Sequence, residues 1–290
     1  MKVLIIGGRG QLATDLRETF PSESGTVEAV GRESCNVTDR SKVREIVEKA
    51  KPDVIISTAA YHQVDLCEEN VGEAFAVNAQ GAAIVAQEAT AIGARCIWFS
   101  TDFVFDGERK GPYPESHPTS PLSVYGVSKA AGERLVVTTD SRHMAIRTAG
   151  LIGKAGTSGK GGNFVETMIR VSQGDGPIRV VNDQTTAPTH TLDVATRTWE
   201  LIRQEAHGVV HLTSRGAVTW YEFTRRIFDR LQIKANLIGI TSEEYNAPAR
   251  RPLYSILAHD TLDRLGLTPM PEWPEALDSY LQARGHLPAC

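Results

Sequence analysis

Val3-Leu4-Ile5-Ile6-Gly7-Gly8-Arg9-Gly10-Gln11-Leu12-Ala13 runs from an aliphatic stretch through a glycine-rich turn into the start of a helix. Strand, tight turn and helix in that order form the first half of a βαβ unit. Glycines at such a turn let the chain bend sharply and let backbone amides approach a pyrophosphate, whose charge the helix N-terminus stabilises. The spacing is G-x-x-G-x-x-A rather than G-x-G-x-x-G, with Ala13 in place of the last glycine. A glycine after a strand can be no more than a turn. Gly7 and Gly10 open a whole series of strands and helices, and that position favours cofactor binding.

Outward from this stretch the alternation continues. Val27 to Val30 reads as a second strand, and Asp39 as the cap of a helix reaching about Ala50, with Val43, Ile46 and Val47 on one face. Asp53 to Ser57 reads as a third strand, followed by a long helical region, rich in Ala, over roughly 66–92. Cys96 to Phe99 is a fourth strand that delivers Ser100 and Thr101, and the Gly and Pro content of 106–121 marks a loop. A helix carries Tyr125 and Lys129, and Met144 to Arg147 is a further strand. Such alternation implies a parallel sheet covered by helices on both faces, with the binding crevice at the carboxyl ends of the strands.

After about Leu151 the pattern loosens. Gly153 to Gly162 reads as a mobile surface loop, Val180 to Gln184 as a turn, and Val209 to Leu212 as a short strand. Helices are expected from about Phe164, from about Leu192, after Thr219 and over Trp273 to Leu281. The expected fold is α/β, a Rossmann-type doubly wound parallel sheet with a smaller, interleaved C-terminal lobe. Residues 1–150, with later segments joining their sheet, would bind a dinucleotide, and 151–290 would form mainly the substrate-binding lobe.

Composition narrows the classes of function. With 290 residues, 41% hydrophobic and 23% charged, the chain can bury a large core. A net charge of −4 and a pI near 6.1 give no pull towards nucleic acid or an anionic membrane. Cys35, Cys67, Cys96 and Cys290 lack metal-ligand spacing and read as reduced thiols. The first apolar stretch ends at once in Gly7-Gly8-Arg9-Gly10, unlike a signal peptide, and no apolar run approaches membrane-spanning length. A soluble, cytoplasmic protein is expected.

Tyr125-Gly126-Val127-Ser128-Lys129 puts a phenol and an ammonium one helical turn apart on one face. An ammonium beside a phenol favours the phenolate and lowers a pKa that starts at about 10. A phenol tuned that way can pass a proton to or from a carbonyl or hydroxyl near neutral pH. With seven Tyr present, a chance Y-x-x-x-K is not rare; its place after a nucleotide-binding N-terminus and a strand ending in hydroxyls lifts it above chance. In Ser100-Thr101-Asp102-Phe103-Val104-Phe105 the Thr101 hydroxyl could bind a reacting carbonyl oxygen, and Asp102 reads equally as substrate contact or turn cap. After the second strand, Gly31 leaves room and Arg32 could pair with the 2′-phosphate of NADPH, while Glu33 could instead accept the ribose hydroxyl of NADH. Ala59 and Ala60 are small enough for a cofactor to cross the sheet edge, with Tyr61 or His62 towards substrate. An isolated His62 reads more readily as a loop residue bonded to backbone.

Together these residues resemble the extended short-chain dehydrogenase/reductase family, on the branch that reduces dTDP-linked 4-keto-6-deoxy sugars such as the precursor of rhamnose. The match runs nearly end to end. It includes Gly10-Gln11-Leu12, Ala74 to Gly81, Ser100 to Gly107, Tyr125 to Lys129 with Gly132-Glu133, Arg147-Thr148, Asn163-Phe164, Asn182-Asp183-Gln184, Ala187-Pro188-Thr189, Arg251-Pro252 with Ser255, and Pro271-Glu272-Trp273. The resemblance implies Thr101, Tyr125 and Lys129 as catalytic residues. It implies cofactor contacts at Gly10, Gln11, Leu12, Asn36, Val37, Ala60, Tyr61, His62 and Lys129, substrate contacts at His62, Val64, Thr101, Asp102 and Tyr125, and no metal. NADPH would be the cofactor, with NADH the alternative, and a nucleotide sugar the substrate; a homodimer is left open.

The chain departs from the family pattern in four places. Asn36 stands where Asp is usual, Ala149-Gly150-Leu151 where a Trp often follows Arg-Thr, Thr186 where Gly is common, and Tyr254 where Asn is common. A bulky wall is therefore expected to be missing after Thr148. Phe103 sits where a dehydratase carries Glu and cannot move a proton, which argues against water elimination. Two further readings stay open: a nucleotide-sugar epimerase, and a non-catalytic dinucleotide-binding subunit similar to the regulatory subunit of methionine adenosyltransferase.

Overall fold

Aliphatic runs bounded by glycine or polar residues form the strands, and a helix follows each of the first three. In the computed structural model, which describes residues 1–155 and 162–288, β1 (Lys2–Ile6) leads into α1 (Gln11–Glu18), and β2 (Thr26–Val30) into α2 (Arg40–Ala50). Asp39 caps α2, accepting the Lys42 N–H at 3.1 Å. β3 (Val54–Ser57) precedes the Ala-rich tract, which is not one helix. It breaks into α3 (Val64–Glu69) and α4 (Val71–Phe75), passes through a π-helical turn at Ala76–Gly81, and resumes as α5 (Ala82–Ala91). Asn70 ends α3 by turning its side-chain amide back onto the Leu66 carbonyl at 3.0 Å. The π turn widens the coil and re-aims the side chains it carries.

β4 (Arg95–Thr101), α6 (Val124–Thr139) and β5 (Met144–Thr148) complete the first half. Then come β6 (Leu151–Ile152), α7 (Phe164–Val171), β7 (Ile178–Val181), β8 (Thr185–Thr186), β9 (Thr189–His190) and α8 (Thr191–Arg203). β10 (Gly208–His211), β11 (Val218–Thr219), α9 (Trp220–Leu231), β12 (Leu237–Ile240), α10 (Ser242–Tyr245), α11 (Asp260–Arg264) and α12 (Trp273–Ala283) follow. The six-stranded sheet has the order β10-β5-β4-β3-β1-β2, with every pair parallel. Successive strands are added on one side of β1 (β2) and then on the other (β3, β4, β5), so the crevice opens at the carboxyl ends of β1 and β3.

Alternate residues of each strand feed the two faces of the sheet. Val3, Ile5, Ile56, Ile97 and Ile146 pack with Leu16 of α1 and Trp199 of α8, whereas Leu4, Ile6, Ile55 and Trp98 pack with α2, α5 and α6. A third apolar cluster joins α7, β7, α9 and α12. One expectation changes here. Val180 and Val181 are strand rather than turn, because β7 pairs in parallel with β12, a Leu-Ile-Gly-Ile run not anticipated as a strand. The expected loop at Gly153 to Gly162, over 156–161, and Cys290 lie outside the described residues. No helix among the described residues is long and apolar enough to cross a membrane.

Candidate active site

The turn after β1 is built for a close neighbour in front of α1. Gly7 has φ +93°, and a Cβ there would lie 2.6 Å from Thr58 Oγ1 and 2.8 Å from the Ala59 nitrogen, so glycine is required by the fold. Gly10 is different. A Cβ on it would meet nothing nearer than the Gly7 carbonyl at 3.6 Å, and Gly10 caps α1 without a side-chain hydrogen bond. The protein itself leaves room at Gly10 and leaves the first amides of α1 facing it, which fits a dinucleotide pyrophosphate. Gln11 is buried and its amide donates to the Leu151 carbonyl at 3.1 Å, tying the turn to the second half of the chain. Leu12 is buried in the core.

At the tip of β2, Arg32 is exposed and reaches Glu73 at 3.5 Å. A second guanidinium is there that the sequence reading left as a turn residue. Arg9 pairs with Glu33 at 2.5 Å across the bare face of Gly31, and both side chains are mostly exposed. Exposed pairs of this kind are weak, so Arg9 can turn to an incoming phosphate at little cost. Its only sequence signal was a cation inside the glycine turn. Asn36 accepts the Thr38 N–H at 3.3 Å, and Val37 is buried against Gly81, where a Cβ would come within 2.7 Å of it.

The loop after β3 carries Ala59, Ala60, Tyr61 and His62 and leads into Val64 at the start of α3, all of intermediate exposure. Its backbone is held by a residue no motif reading singled out. Asn78, fully buried in the π turn, accepts the Tyr61 N–H at 2.9 Å and donates to the Tyr61 carbonyl and to Ser128 Oγ, both at 3.0 Å. Ser128 in turn donates to the Tyr125 carbonyl at 2.8 Å. Gly132 makes this contact possible, since a Cβ there would lie 2.0 Å from the Asn78 carbonyl.

β4 and α6 bring the hydroxyls together. Thr101 Oγ1 donates to Asp102 Oδ1 at 3.0 Å and accepts the Phe103 N–H at 3.2 Å. Ser123 caps α6 by accepting the Gly126 N–H at 3.2 Å. The Tyr125 ring meets Phe103 edge-on at 6.0 Å. Burial pushes the Tyr125 phenol well above its ordinary value, and a hydrogen bond with Thr101 draws it partly back. Lys129 does not lower the phenol as expected. Its Nζ donates to the Phe99 carbonyl at 2.5 Å and lies 3.8 Å from the Trp98 ring centroid, and burial pushes its pKa down to about 7. Desolvation thus raises the phenol rather than lowering it, with Lys129 committed to strand β4.

Behind this trio, Glu133 is buried and accepts from Ser100 Oγ at 2.8 Å and from Arg147 Nε at 2.8 Å. Asp102 is also buried, and its carboxylate oxygens take hydrogen bonds from Thr101 and Ser255. The wall expected to be missing after Thr148 is closed from elsewhere. Gly150, at φ +50°, has Trp220 so near that a Cβ would lie 3.3 Å from the indole, and Trp220 packs on Phe164 at 4.5 Å. Thr186 is buried where β8 pairs with β11, and Tyr254 bridges to Thr185.

A family model described as the RmlD substrate binding domain matches residues 1–285. The spore coat polysaccharide biosynthesis protein SpsK of Bacillus subtilis is 36% identical over 283 residues, covering 98% of each chain. A dTDP-4-dehydrorhamnose reductase of Streptomyces griseus is 36% identical over 288 residues, covering 97% of this chain and 93% of that one. Among solved structures, dTDP-4-dehydrorhamnose reductase from Bacillus anthracis in complex with NADP superimposes with a TM-score of 0.92 at 35% identity, over 97% of this chain and 98% of that one. With the glycine turn, the crevice and the Tyr125/Lys129 helix in one parallel sheet, the chain belongs to the RmlD substrate binding domain family, together with the dTDP-4-dehydrorhamnose reductases.

Proposed function

We propose that this protein is an NADPH-dependent oxidoreductase that reduces the C4 keto group of a dTDP-linked 4-keto-6-deoxy sugar, as a dTDP-4-dehydrorhamnose reductase does. The observation that carries the reading is the Thr101 hydroxyl at the end of β4, set beside a Tyr125 phenol that burial keeps protonated. A reduced carbonyl oxygen needs donors where its negative charge develops, and a phenol held above its ordinary pKa is a donor throughout the neutral range. When bound, the cofactor supplies the hydride. The amides at the start of α1 and Gly10 would hold its pyrophosphate, Ala59, Ala60 and Tyr61 would line its path, and Lys129 would hold its nicotinamide ribose. Tyr125 gives its proton to the new alkoxide, and Thr101 orients the oxygen. His62 and Val64 lie on the sugar side. Residues up to about 150 serve the cofactor and those beyond mainly the sugar.

Phe103 supports reduction over dehydration, since its ring packs on Tyr125 where a carboxylate would be needed. Purified protein supplied with dTDP-4-dehydrorhamnose is expected to oxidise NADPH stoichiometrically, read at the nicotinamide absorbance. No oxidation with any nucleotide-linked keto sugar, despite tight NADPH binding, would favour a non-catalytic subunit instead. A homodimer and a cytoplasmic location accord with this reading. Exposed Leu66, Val71, Val127 and Leu135 on α3, α4 and α6 offer an apolar face for a second copy, which light scattering can test.

Cofactor preference follows from the β2 tip. Arg9→Ala is expected to raise KM for NADPH about tenfold, the worth of one charge-assisted hydrogen bond, and to leave KM for NADH nearly unchanged. Glu33→Gln is expected to act in the opposite sense, by freeing Arg9. Equal losses for both cofactors after Arg9→Ala would place the 2′-phosphate elsewhere.

A further inference from the structure

The segment from Ala249 to Ala258 runs back across the crevice and is fastened on both sides. Arg251 Nη2 donates to both carboxylate oxygens of Asp65, at 3.0 and 2.9 Å, just past the loop after β3. Thr185 N–H donates to the Leu253 carbonyl at 2.7 Å and Ser255 N–H to the Thr185 carbonyl at 3.0 Å, so the segment pairs with β8. Between these anchors Ser255 Oγ donates to Asp102 Oδ2 at 2.6 Å. Asp102 is 3% exposed and Ser255 2%, so water does not compete for these contacts. The Arg-Pro and Ser of this segment stood out in the sequence, and the chemistry above has no use for them.

A hydroxyl has one proton and two lone pairs. One Thr101 lone pair takes the Phe103 N–H. While Asp102 is a carboxylate it can only accept, so the Thr101 O–H donates to it and points away from the crevice. The Thr101 donor needed by the developing alkoxide is then turned away from it. If Asp102 carries a proton, Ser255 on Oδ2 leaves that proton on Oδ1, the oxygen facing Thr101. Asp102 then donates into the remaining Thr101 lone pair, and the Thr101 O–H is released towards the reacting oxygen. Every donor and acceptor of the chain is used once.

We propose that Asp102, held by Ser255, is the positioning residue that sets the direction of the Thr101 hydroxyl, and that carbonyl reduction runs in the form in which Asp102 is protonated. No proton leaves Asp102 in the step; the Tyr125 proton alone is transferred. Burial raises the Asp102 carboxyl to about 6, against the opposing hydrogen bonds of Ser255 and Thr101, so both forms are populated in the accessible pH range. The groups facing Asp102 are Ser255 from the crossing segment, Tyr125 from α6, and Thr101 with the Phe103 amide from its own turn. Lys129 on α6 is engaged by the Phe99 carbonyl and Arg251 by Asp65.

The inference rests on the reductase reading, and wild-type turnover tests that reading first. kcat for NADPH oxidation with dTDP-4-dehydrorhamnose is measured from pH 5 to pH 8 for wild type, Asp102→Asn, Ser255→Ala and Ser255→Thr, each checked for thermal unfolding. Wild-type kcat is expected to fall at least about tenfold between pH 6 and pH 8, as the protonated acid is depleted. Asp102→Asn keeps a donor towards Thr101 and an acceptor for Ser255, and its profile is expected to be flat over that range. Ser255→Ala removes a donor to the carboxylate and should move the falling limb up by about one pH unit, with Ser255→Thr restoring it. A wild-type limb that survives Asp102→Asn, or one that Ser255→Ala leaves in place, overturns the relay and leaves the reductase standing. Absence of wild-type turnover at every pH overturns both.

Discussion

Tyr125→Phe is expected to lower kcat by about 10²- to 10⁴-fold, the range that a positioned acid contributes, while NADPH binding stays as in wild type. The change removes one oxygen and keeps the ring, so the edge-on contact with Phe103 at 6.0 Å and the helix cap at Ser123 are preserved. What is lost is the donor at the reacting oxygen, which acts in the transition state more than in the ground state. The loss should therefore fall on kcat and kcat/KM alike, with little change in KM. Single-turnover kinetics with titration of NADPH binding make the measurement. A raised KM with unchanged kcat would show that Tyr125 only binds the sugar.

Glu133→Ala is expected to destabilise the fold by about 3–5 kcal/mol, the cost of stranding a buried charge. Arg147 and Glu133 pair with side chains 4% and 5% exposed, so no water can replace the lost carboxylate. Arg147 also lies over Phe105 at 4.9 Å and donates to His211 Nε2 at 3.1 Å, contacts that hold the guanidinium where it is. Burial and Arg147 together push His211 down to about 3, which keeps it a neutral acceptor. Ser100 loses its partner as well, one residue before Thr101. Urea unfolding should show the loss directly, and Arg147→Met added to Glu133→Ala should recover part of it by removing the orphaned cation. Removing the exposed Arg9–Glu33 pair should cost under about 1 kcal/mol by comparison. A Glu133→Ala loss as small as that would mean the buried pair is not what fastens α6 to β4 and β5.

Local patterns carried most of the fold. Runs such as Val3 to Ile6 and Val54 to Ser57 are apolar on both faces because helices cover both faces of a parallel sheet, and that pattern is visible in a few residues. Asp39 capped its helix as its spacing implied, and Gly7 turned where a strand meets a helix. The Ala-rich tract is helical as expected, but its path was hidden for a related reason. Ala, Val and Gln satisfy an α-helix and a π turn alike, and what selects the π turn is the contact of Asn78 with Tyr61 and Ser128, which are 17 and 50 residues away. The wall at Gly150 was equally unreadable, because Trp220 arrives from another helix.

The sequence alone determined the sheet, the side of it on which the crevice opens, and the residue types placed there: a glycine turn, a threonine at a strand end, and a tyrosine and lysine one helical turn apart. Those follow from periodicities of two and 3.6 residues and from short-range steric rules, which need no knowledge of the rest of the chain. Only the tertiary structure decided the electrostatic state of the site. Whether an ammonium lowers a phenol depends on where its Nζ lies and how much water reaches both groups, and here Lys129 turns to Phe99 while burial raises Tyr125. The partner of Asp102 lies 153 residues away, a contact no local pattern encodes, because it forms only when the chain crosses the crevice a second time.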